Sequence, residues 1–348
     1  MFIRIQTSNS NRLVQIDALR GLAALAVVLF HYTVRFGEVF STRTFPSFSF
    51  PFRDFGIDLF FIISGFVIFM TLEKTSRSMD FIISRFSRLF PAYWVSIFLT
   101  FSICHLIGLP GHLVSIESAF ANMLMLHSFL GVTHVDGVYW TLEVELLFYA
   151  GMFALYKLKS LDRIYFVLLC LMLLKVIYYL SKLYFGIDLP WIVFRLLILE
   201  EIPWFAIGIS VYLAVNRKGS GAWRQTLYTL VPAIVALWIC QTALVAILAI
   251  AIATVVYLAA QSRLTFLQFK PIVWLGTVSY PLYLLHENIG WSLMLQLQKM
   301  GLSMDITIFI TLCVSLSLAA AVTFWVEQPA MRWIRSRYKN RAKLLAVQ

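Results

Sequence analysis

Long apolar stretches separated by short polar segments are the feature that most constrains this chain. A helix needs about 20 mostly apolar residues to cross a bilayer, and ten such stretches follow one another in 348 residues that are 61% hydrophobic and 13% charged. They leave no stretch for a soluble catalytic domain. We therefore predict an all-α, polytopic integral membrane protein, one membrane domain over residues 1–348. Its roughly ten transmembrane helices are expected near residues 17–34, 56–72, 89–109, 138–156, 164–182, 191–214, 225–240, 242–260, 272–293 and 304–326.

The positions of Lys and Arg predict the orientation of these helices. If the N-terminus is cytoplasmic, 20 of the 28 Lys and Arg fall in cytoplasmic segments, and residues 110–137 contain none. Because cytoplasmic loops are enriched in Lys and Arg, both termini are predicted to be cytoplasmic, with a basic tail at 330–348. The apolar segment 118–132 is short, and counting it as a span would reverse every later loop, so we expect an interfacial or re-entrant piece. The basic residues are dispersed, so the net charge of +11 indicates a lipid bilayer as partner and no nucleic acid.

Two ionisable residues, Arg20 and His31, lie inside the first apolar stretch. They are 11 positions apart in the sequence, which on a helix places them on one face and about 16 Å apart along the axis. Ionisable groups inside lipid are costly and are functional candidates by default. The predicted orientation puts Arg20 toward the cytoplasm and His31 toward the outer face, at the two ends of one tunnel. The structural alternative is that Arg20 only pairs with Asp17.

Further ionisable residues are predicted in the outer half of the membrane. Asp58 begins the second span, and His286 lies near the outer end of the ninth. Glu145 lies deeper in the fourth span than Glu143, which we expect to face a loop. These histidines and carboxylates can converge near the outer face, and His127 of the preceding loop can reach the same pocket. The alternative for each histidine is a hydrogen bond to a neighbouring helix.

Charged residues also occur at the inner end of the third span and in the sixth. Arg85 and Arg88 precede the third span at a spacing of i, i+3, which can present two guanidiniums to a phosphate; ordinary membrane anchoring is the alternative. Arg195 in the sixth span is expected to form an internal ion pair with Glu200 or Glu201. Among the four cysteines we find no spacing typical of a metal site, and we expect no metal.

Six motifs in order resemble the acyltransferase-3 family of membrane acyltransferases, which includes O-antigen and exopolysaccharide O-acetyltransferases. They extend from residue 16 to residue 333. The family's frequent second glutamate after Glu145 is Leu146 here. The motifs are Leu19-Arg20-Gly21 with His31, Gly56-Ile57-Asp58-Leu59-Phe60-Phe61 with Ser64-Gly65-Phe66, Arg85-x-x-Arg88-Leu89-x-Pro91-x-Tyr93-Trp94, Trp140-Thr141-Leu142-x-x-Glu145-x-x-Phe148-Tyr149, Ser279-Tyr280-x-x-Tyr283-Leu284-x-His286, and Val326-Glu327-x-Pro329.

The resemblance implies transfer of an acetyl or similar acyl group from cytoplasmic acyl-CoA to a hydroxyl of a cell-surface or lipid-linked glycan, in a bacterial cytoplasmic (inner) membrane. His31 would be the general base, since the pKa of imidazole lies near neutrality. Asp58 or Glu145 would orient it, with His286 close by. The residues expected to bind the donor are Arg20, Arg85 and Arg88, and those expected to bind the acceptor are Tyr139, Trp140 and Tyr283.

Two alternatives stay open at this stage. In one, His31 is itself acylated and passes the acyl group outward. In the other, the chain is a proton-coupled transporter or flippase, because ten spans with buried His, Asp and Glu also suit a carrier. We find no internal repeat with corresponding interrupted helices, the pattern typical of secondary transporters.

Overall fold

The computed structural model describes residues 7–41, 45–217 and 221–345, and the fold of these residues is helical with no strand. Arg4, Arg43 and Lys218, which entered the charge pattern, and the last residues of the tail, 346–348, lie outside the described residues. The α-helices are α1 (Thr7–Phe30), α2 (Phe36–Phe40), α3 (Arg53–Glu73), α4 (Ser78–Ile107), α5 (Ile116–Asn122), α6 (Trp140–Lys157), α7 (Ile164–Phe185), α8 (Trp191–Leu196), α9 (Ile202–Asn216), α10 (Ala222–Cys240), α11 (Ala243–Ala260), α12 (Lys270–Leu285), α13 (Glu287–Lys299), α14 (Met304–Val322) and α15 (Gln328–Leu345).

Seven helical segments in the described residues are long and apolar enough to cross a membrane, judged by length and composition. The all-helical fold class is therefore confirmed, while the count of about ten spans and the side of the termini stay predictions. The seven segments are Val14–Phe40, Phe55–Glu73, Ser78–Ile107, Gly137–Lys157, Leu161–Phe185, Ala243–Ala260 and Met304–Arg341.

Two of the predicted spans are each divided into two helices. The span predicted at 191–214 consists of α8 and α9, joined by a turn in which Ile198 has a φ of 44°. The span predicted at 272–293 consists of α12 and α13, which meet at His286. Pro281 lacks an amide hydrogen and weakens α12. In addition, the His286 ring lies 2.8 Å from the Tyr283 carbonyl and hydrogen-bonds to it. In a continuous α-helix this carbonyl would accept from the backbone amide of Glu287.

Residue contacts divide the chain into two units, and the first contains residues up to 20, 57–75 and 144–273. Within it, α3 and α9 pack through glycines, since a Cβ at Gly65 would collide with the Phe205 carbonyl and a Cβ at Gly208 with the Ile62 carbonyl. Small residues allow such close helix packing in membranes. The Phe148 ring stacks on Phe205 with centroids 3.9 Å apart.

Ion pairs connect the helices of the first unit near the α8–α9 turn. Arg195 and Glu201 lie 3.5 Å apart, which confirms the internal ion pair expected for Arg195. Glu200 instead pairs with Lys175 of α7 at 3.1 Å, and the Lys175 side chain is almost fully buried. A buried ammonium is stable only with a partner of opposite charge. The two carboxylates of the turn, Glu200 and Glu201, therefore each have their own basic partner.

The second unit contains residues 21–56, 76–143 and those from 274 onward. Here α1 and α12 touch at two glycines, because a Cβ at Gly21 would collide with the backbone of Gly276. Single π-helical turns follow α1 at His31–Arg35 and α14 at Thr323–Glu327. Turns of this kind are frequent at functional sites, and the first of them begins at a predicted catalytic residue.

The segment predicted as an interfacial or re-entrant piece, 118–132, forms the end of α5 and a short 3-10 turn, His127–Leu130. It is too short to cross a bilayer. The buried Asn122 fastens it, with Nδ2 donating to the Thr133 carbonyl at 2.9 Å. His127 is fully buried against His134, with ring centroids 4.3 Å apart. The loop is therefore folded onto the second unit.

Candidate active site

His31 and His286, two of the four predicted catalytic residues, come together in the second unit. Their rings lie 4.9 Å apart, nearly perpendicular, with His286 Nε2 3.3 Å from His31 Nδ1. His31 Nδ1 is also 2.8 Å from the Val27 carbonyl, and His286 Nδ1 is 2.8 Å from the Tyr283 carbonyl. Both side chains are buried, at 6% and 0% exposure.

For two neutral rings, these contacts assign the positions of the ring protons. A carbonyl oxygen only accepts hydrogen bonds, so each Nδ1 that faces one carries a hydrogen. In a neutral imidazole the other nitrogen is then unprotonated. His286 Nε2 therefore accepts from His31 Nδ1–H, and the lone pair of His31 is on Nε2. A proton taken up by His31 would be received at that atom.

Glu287 is the group that faces this lone pair. Its Oε2 lies 3.8 Å from His31 Nε2, and the side chain is nearly buried. A distance of 3.8 Å is too long for a direct hydrogen bond but leaves the two atoms able to share a third group. Gly137 makes room for the carboxylate, because a Cβ there would come within 2.8 Å of Glu287 Oε1.

A second carboxylate, Asp136, lies beside Glu287 and shares a hydrogen bond with it. Asp136 is fully buried and accepts from the amide of Asn288 at 3.1 Å and the amide of Val138 at 3.3 Å. Burial raises the pKa of Asp136 to about 6, while the two amides act in the opposite direction. Asn288 Nδ2 also donates to the Val135 carbonyl, so the loop before α6 is tied to the start of α13.

Aromatic side chains hold the two histidines in place. Tyr32 donates its hydroxyl to the His286 carbonyl at 2.8 Å and lies 2.7 Å from Ser315 Oγ. Trp291 Nε1 donates to the His31 carbonyl at 3.2 Å. A Cβ at Gly290 would collide with the Tyr32 hydroxyl. The π-helical turn at His31 and the helix break at His286 are therefore bonded to each other through side chains.

The predicted acceptor-binding aromatics surround the start of α6. Tyr283 has its hydroxyl 2.9 Å from Thr141 Oγ1, and Tyr139 is fully buried against the ring of Tyr93, 5.0 Å away. Trp140, the first residue of α6, is half-buried. Tyr283 thus joins α12 to α6, and its contact with a substrate stays a prediction.

Asp58, Glu145 and Arg20 belong to the first unit, whereas His31 and His286 belong to the second. Glu145 accepts from Ser64 Oγ at 2.7 Å and from the Tyr149 hydroxyl at 2.5 Å. Arg20 lies 3.9 Å from Asp17, the contact expected in the structural alternative. Asp58 lies half-buried in α3. The proposed roles of these three side chains stay predictions.

The residue that sequence reasoning missed is Glu287. It immediately follows His286, and neighbours in a continuous helix point about 100° apart, which gave no reason to group them. The break between α12 and α13 changes that relation. A signal was available in Pro281, which often accompanies a helix interruption, although it does not identify the position of the break.

Arg85 and Arg88 lie near the start of α4, also in the second unit. Arg88 Nη1 is 2.5 Å from Glu327 Oε1, a carboxylate that is 1% exposed. Arg85 Nη2 donates to Ser84 Oγ at 3.1 Å. Arg335 of α15 lies against the same turn, with Nε 3.0 Å from Ser87 Oγ. Three guanidiniums therefore gather at this end of the second unit.

A cavity of about 410 Å³ adjoins the histidine pair through Tyr32. Glu38, Phe45 and Met304 also line it. The size is within the usual range for small-molecule sites, about 300–1,000 Å³. Its mixed lining of aromatic, aliphatic and carboxylate groups suits a ligand with both polar and apolar surfaces.

The segment 45–50, which contributes Phe45, Pro46 and Ser49 to the cavity lining, is held by hydrogen bonds at two points. Ser47 donates to Asp305 through its amide at 2.8 Å and its hydroxyl at 2.5 Å. The amide of Phe50 donates to Thr33 Oγ1 at 3.0 Å. These bonds connect the segment to α14 and to the π-helical turn that begins at His31.

Comparison with known proteins identifies the family. A family model described as an acyltransferase domain matches residues 13–326. The chain belongs to the acyltransferase-3 family. A relative from Acidianus two-tailed virus, named "Putative acetyltransferase ORF330", is 25% identical over 210 residues, which cover 59% of this chain and 58% of the relative. The chain thus spans less than two thirds of that relative's length. No solved structure matches the chain.

Membership in the acyltransferase-3 family and the several membrane-length apolar helices identify a membrane protein. The family match includes the histidine pair, Glu287 and Arg88, but it ends at residue 326, one residue short of Glu327 and before α15. Within the described residues no three His, Cys, Asp or Glu side chains are arranged to hold a metal ion. The second unit therefore holds imidazole and carboxyl groups around His31 and a separate group of guanidiniums at the start of α4.

Proposed function

We propose that this protein transfers an acyl group, acetyl or similar, from cytoplasmic acyl-CoA to a hydroxyl of a cell-surface or lipid-linked glycan. The observation that carries the proposal is the distance of 3.8 Å between His31 Nε2 and Glu287 Oε2, because in the neutral tautomer assigned above Nε2 carries the lone pair. An acceptor hydroxyl between these atoms can donate its hydrogen to Nε2. The family match and the name of the viral relative support acyl transfer as the reaction class.

The proposed reaction is a direct attack. His31 Nε2 removes the proton from the acceptor hydroxyl, and the oxygen attacks the thioester carbonyl. The carbon–sulfur bond breaks, and the thiolate takes the proton back from Nε2. The sum is an ester and a free thiol, with His31 returned to its neutral form, so no net proton is consumed.

His286 and Glu287 support the protonated state of His31. As Nε2 gains a proton, Nδ1–H becomes a stronger donor, and His286 Nε2 is placed to accept from it. Glu287 lies on the other side of the ring, and the single negative charge that it shares with Asp136 stabilises the positive charge. We assign His286 as a positioning residue and Glu287 as a group that touches the reacting atoms.

The predicted topology assigns the two substrates to opposite ends of the protein. With ten spans and cytoplasmic termini in a bacterial inner membrane, Arg85 and Arg88 lie at the cytoplasmic end and the cavity beside Tyr32 at the outer end. We propose that the cavity holds the sugar next to the reacting hydroxyl, where Glu38 can accept from other hydroxyls. Its contact with the histidine pair through Tyr32 supports this choice.

Transfer by the purified protein is the direct test. The protein in detergent is given acetyl-CoA with and without extracted surface glycan, and free thiol and acetylated glycan are measured. We expect glycan-dependent thiol release that His31→Gln abolishes while the protein remains folded. The matched control is His105→Gln, which replaces an exposed histidine of α4. Normal transfer by His31→Gln contradicts the proposal.

The alternative of an acylated His31 is tested in the same system. The protein is incubated with radiolabelled acetyl-CoA and no acceptor, then denatured at neutral pH and searched for label on His31. The direct route predicts no stable label. Label on His31 that moves to glycan on addition of acceptor supports the two-step route instead.

A transporter is the second candidate, and one structural observation favours it. Two predicted spans are interrupted, at the α8–α9 turn and at His286, and interrupted helices line the substrate sites of many transporters. The detergent assay separates the two functions, because a carrier has no gradient to use in detergent. Thiol release under these conditions requires acyl transfer or thioester hydrolysis by the protein.

A further inference from the structure

The basic cluster at the start of α4 contains an arginine that lies beyond the family match. α15 carries Arg335 back onto α4, where its Nε donates to Ser87 Oγ at 3.0 Å and its Nη2 to the Ser84 carbonyl at 3.2 Å. Arg335 lies within electrostatic reach of both Arg85 and Arg88. Its head group is therefore fixed by two neutral acceptors in a region of like charge.

The nearby carboxylates are bonded to other groups. Glu327 is the ion-pair partner of Arg88, at 2.5 Å, and Arg88 also lies 6.0 Å from the centre of the Tyr280 ring. Asp80 accepts from the Tyr338 hydroxyl at 2.7 Å. Among the described residues, Arg335 has no carboxylate oxygen within 4.0 Å, the limit for an ion pair. Its positive charge is available to an anionic ligand.

The bonding pattern divides the cluster into two parts. Arg88 is fixed to a buried carboxylate, an arrangement that stabilises the contact between α4 and the π-helical turn at Thr323–Glu327. Arg335 uses Nε and Nη2 for Ser87 and Ser84, and Nη1 forms no hydrogen bond among the described residues. A guanidinium held along one edge in this way presents its other edge in a fixed direction, which is how arginine binds phosphate oxygens.

We propose that Arg335, together with Arg85, binds a phosphate monoester on the nucleotide part of the acyl donor, while Arg88 has a structural role. This inference rests on acyl-CoA being the donor, as proposed above. It differs from the sequence prediction, in which Arg85 and Arg88 form the phosphate fork. A phosphate held by α15 and α4 together would also fasten the basic C-terminal helix to the donor end of the site.

The test compares two donors that differ by one phosphate. Acetyl-CoA carries a phosphate monoester on the ribose, and acetyl-dephospho-CoA lacks it. The wild type, Arg335→Gln and Arg332→Gln are assayed in nanodiscs of zwitterionic lipid. Arg332 is exposed on the same helix and serves as the matched control. Because the variant loses charge-assisted hydrogen bonds to the phosphate, we expect Arg335→Gln to raise KM for acetyl-CoA roughly 10- to 100-fold.

The donor comparison distinguishes recognition of the phosphate from a general loss of structure. We expect KM for acetyl-dephospho-CoA, and kcat at saturation, to be the same in Arg335→Gln as in the wild type. Equal KM increases for both donors, or none for either, overturn the proposal. If Arg335→Gln does not fold, Arg335→Lys keeps the charge without the planar fork, and the same donor-selective increase is expected at smaller size.

A binding measurement separates failure of this inference from failure of the proposed function. Adenosine 3′,5′-bisphosphate should raise the Tm of the wild type and of Arg332→Gln but not of Arg335→Gln. Equal stabilisation of all three proteins overturns the role of Arg335 but leaves the proposed donor in place. No stabilisation of any protein, with no thiol release from acetyl-CoA, contradicts the donor itself.

A lipid headgroup is the other source of a phosphate monoester, and nanodiscs containing phosphatidic acid test it. If that lipid raises the Tm of the wild type but not of Arg335→Gln, while both donors keep their KM in the variant, the site binds lipid and the donor proposal is overturned.

Discussion

The substitution Glu287→Gln tests the proposed chemistry most directly. Glutamine has the same shape and can still be accommodated at Gly137, but it removes the member of the proton-sharing Glu287–Asp136 pair that lies nearest to His31 Nε2. In the ground state His31 is neutral and the loss matters little. In the transition state the ring carries part of a positive charge 3.8 Å from Oε2. The effect should therefore appear in kcat rather than in KM.

The size of this effect follows from Coulomb's law. Two full charges 3.8 Å apart interact by about 4 kcal/mol at an effective dielectric constant of about 20. With proton transfer half complete, about 2 kcal/mol remains. Asp136 shares a hydrogen bond, and therefore one proton, with Glu287, so the pair carries a single negative charge that Glu287 holds only in part. Dividing that charge equally leaves about 1 kcal/mol, and since about 1.4 kcal/mol corresponds to tenfold in rate, we expect kcat to fall roughly 5-fold.

The assay is steady-state thiol release in detergent across a range of pH, with Glu117→Gln as control because Glu117 is fully exposed. Without the carboxylate, neutral imidazole persists to lower pH, so the acid limb of the pH–rate profile should shift toward lower pH. A residue with a merely structural role would not move that limb. An unchanged kcat together with an unchanged pH profile refutes the assignment of Glu287.

Three further predictions test the remaining parts of the site. Burial raises the pKa of Asp136 from 3.8 to about 6, so the folded state binds this proton more tightly than the unfolded state, and stability should rise as pH falls from about 7 toward 4. A thermal unfolding series should show this rise in the wild type and a flatter one in Asp136→Asn. Glu38→Gln should raise the KM for the glycan several-fold and leave the KM for acetyl-CoA unchanged, whereas equal changes in both would place Glu38 outside the acceptor cavity. Gly137→Ala puts a Cβ within 2.8 Å of Glu287 Oε1 and should lower kcat at least as much as Glu287→Gln, while Gly131→Ala, in open space, should only reduce stability slightly through its positive φ, as followed by Tm.

Much of the fold follows from the sequence because membrane insertion depends on the length and composition of each apolar stretch. Stretches such as 56–72 and 242–260 coincide with single helices, α3 and α11. The helix break at His286 could not be predicted in this way. It depends on a ring nitrogen that bonds the Tyr283 carbonyl and on the Tyr32 hydroxyl, 254 positions away, which bonds the His286 carbonyl.

The same limit applies to the site: single residues could be selected from the sequence, but their partners in the fold could not. His31 and His286 could be selected because an ionisable side chain in lipid is rare and costly. The partners of an ionisable group cannot be selected by that argument. Asp58 and Glu145 were chosen as partners for His31 by membrane depth alone, and that choice stays a prediction, while Glu287, which lies 3.8 Å from His31, was not selected. Arg335 was counted only as part of a basic tail, since nothing local indicates that α15 folds back onto Ser84 and Ser87.

The proton positions on the two histidines also bear on the choice between direct attack and an acylated His31. If Nε2 is the nucleophile, the acyl group occupies the only unprotonated nitrogen of His31, because Nδ1–H is committed to the Val27 carbonyl and His286. The second half-reaction, attack by the acceptor hydroxyl, would then need another base. Glu287 is the group placed for that role, 3.8 Å from Nε2. In the two-step route Glu287→Gln should therefore trap acyl-His31 even when acceptor is present, whereas in the direct route it only slows turnover and no acylated protein accumulates. The same variant thus distinguishes the two routes, since its acylated fraction under turnover reports which group removes the acceptor's proton.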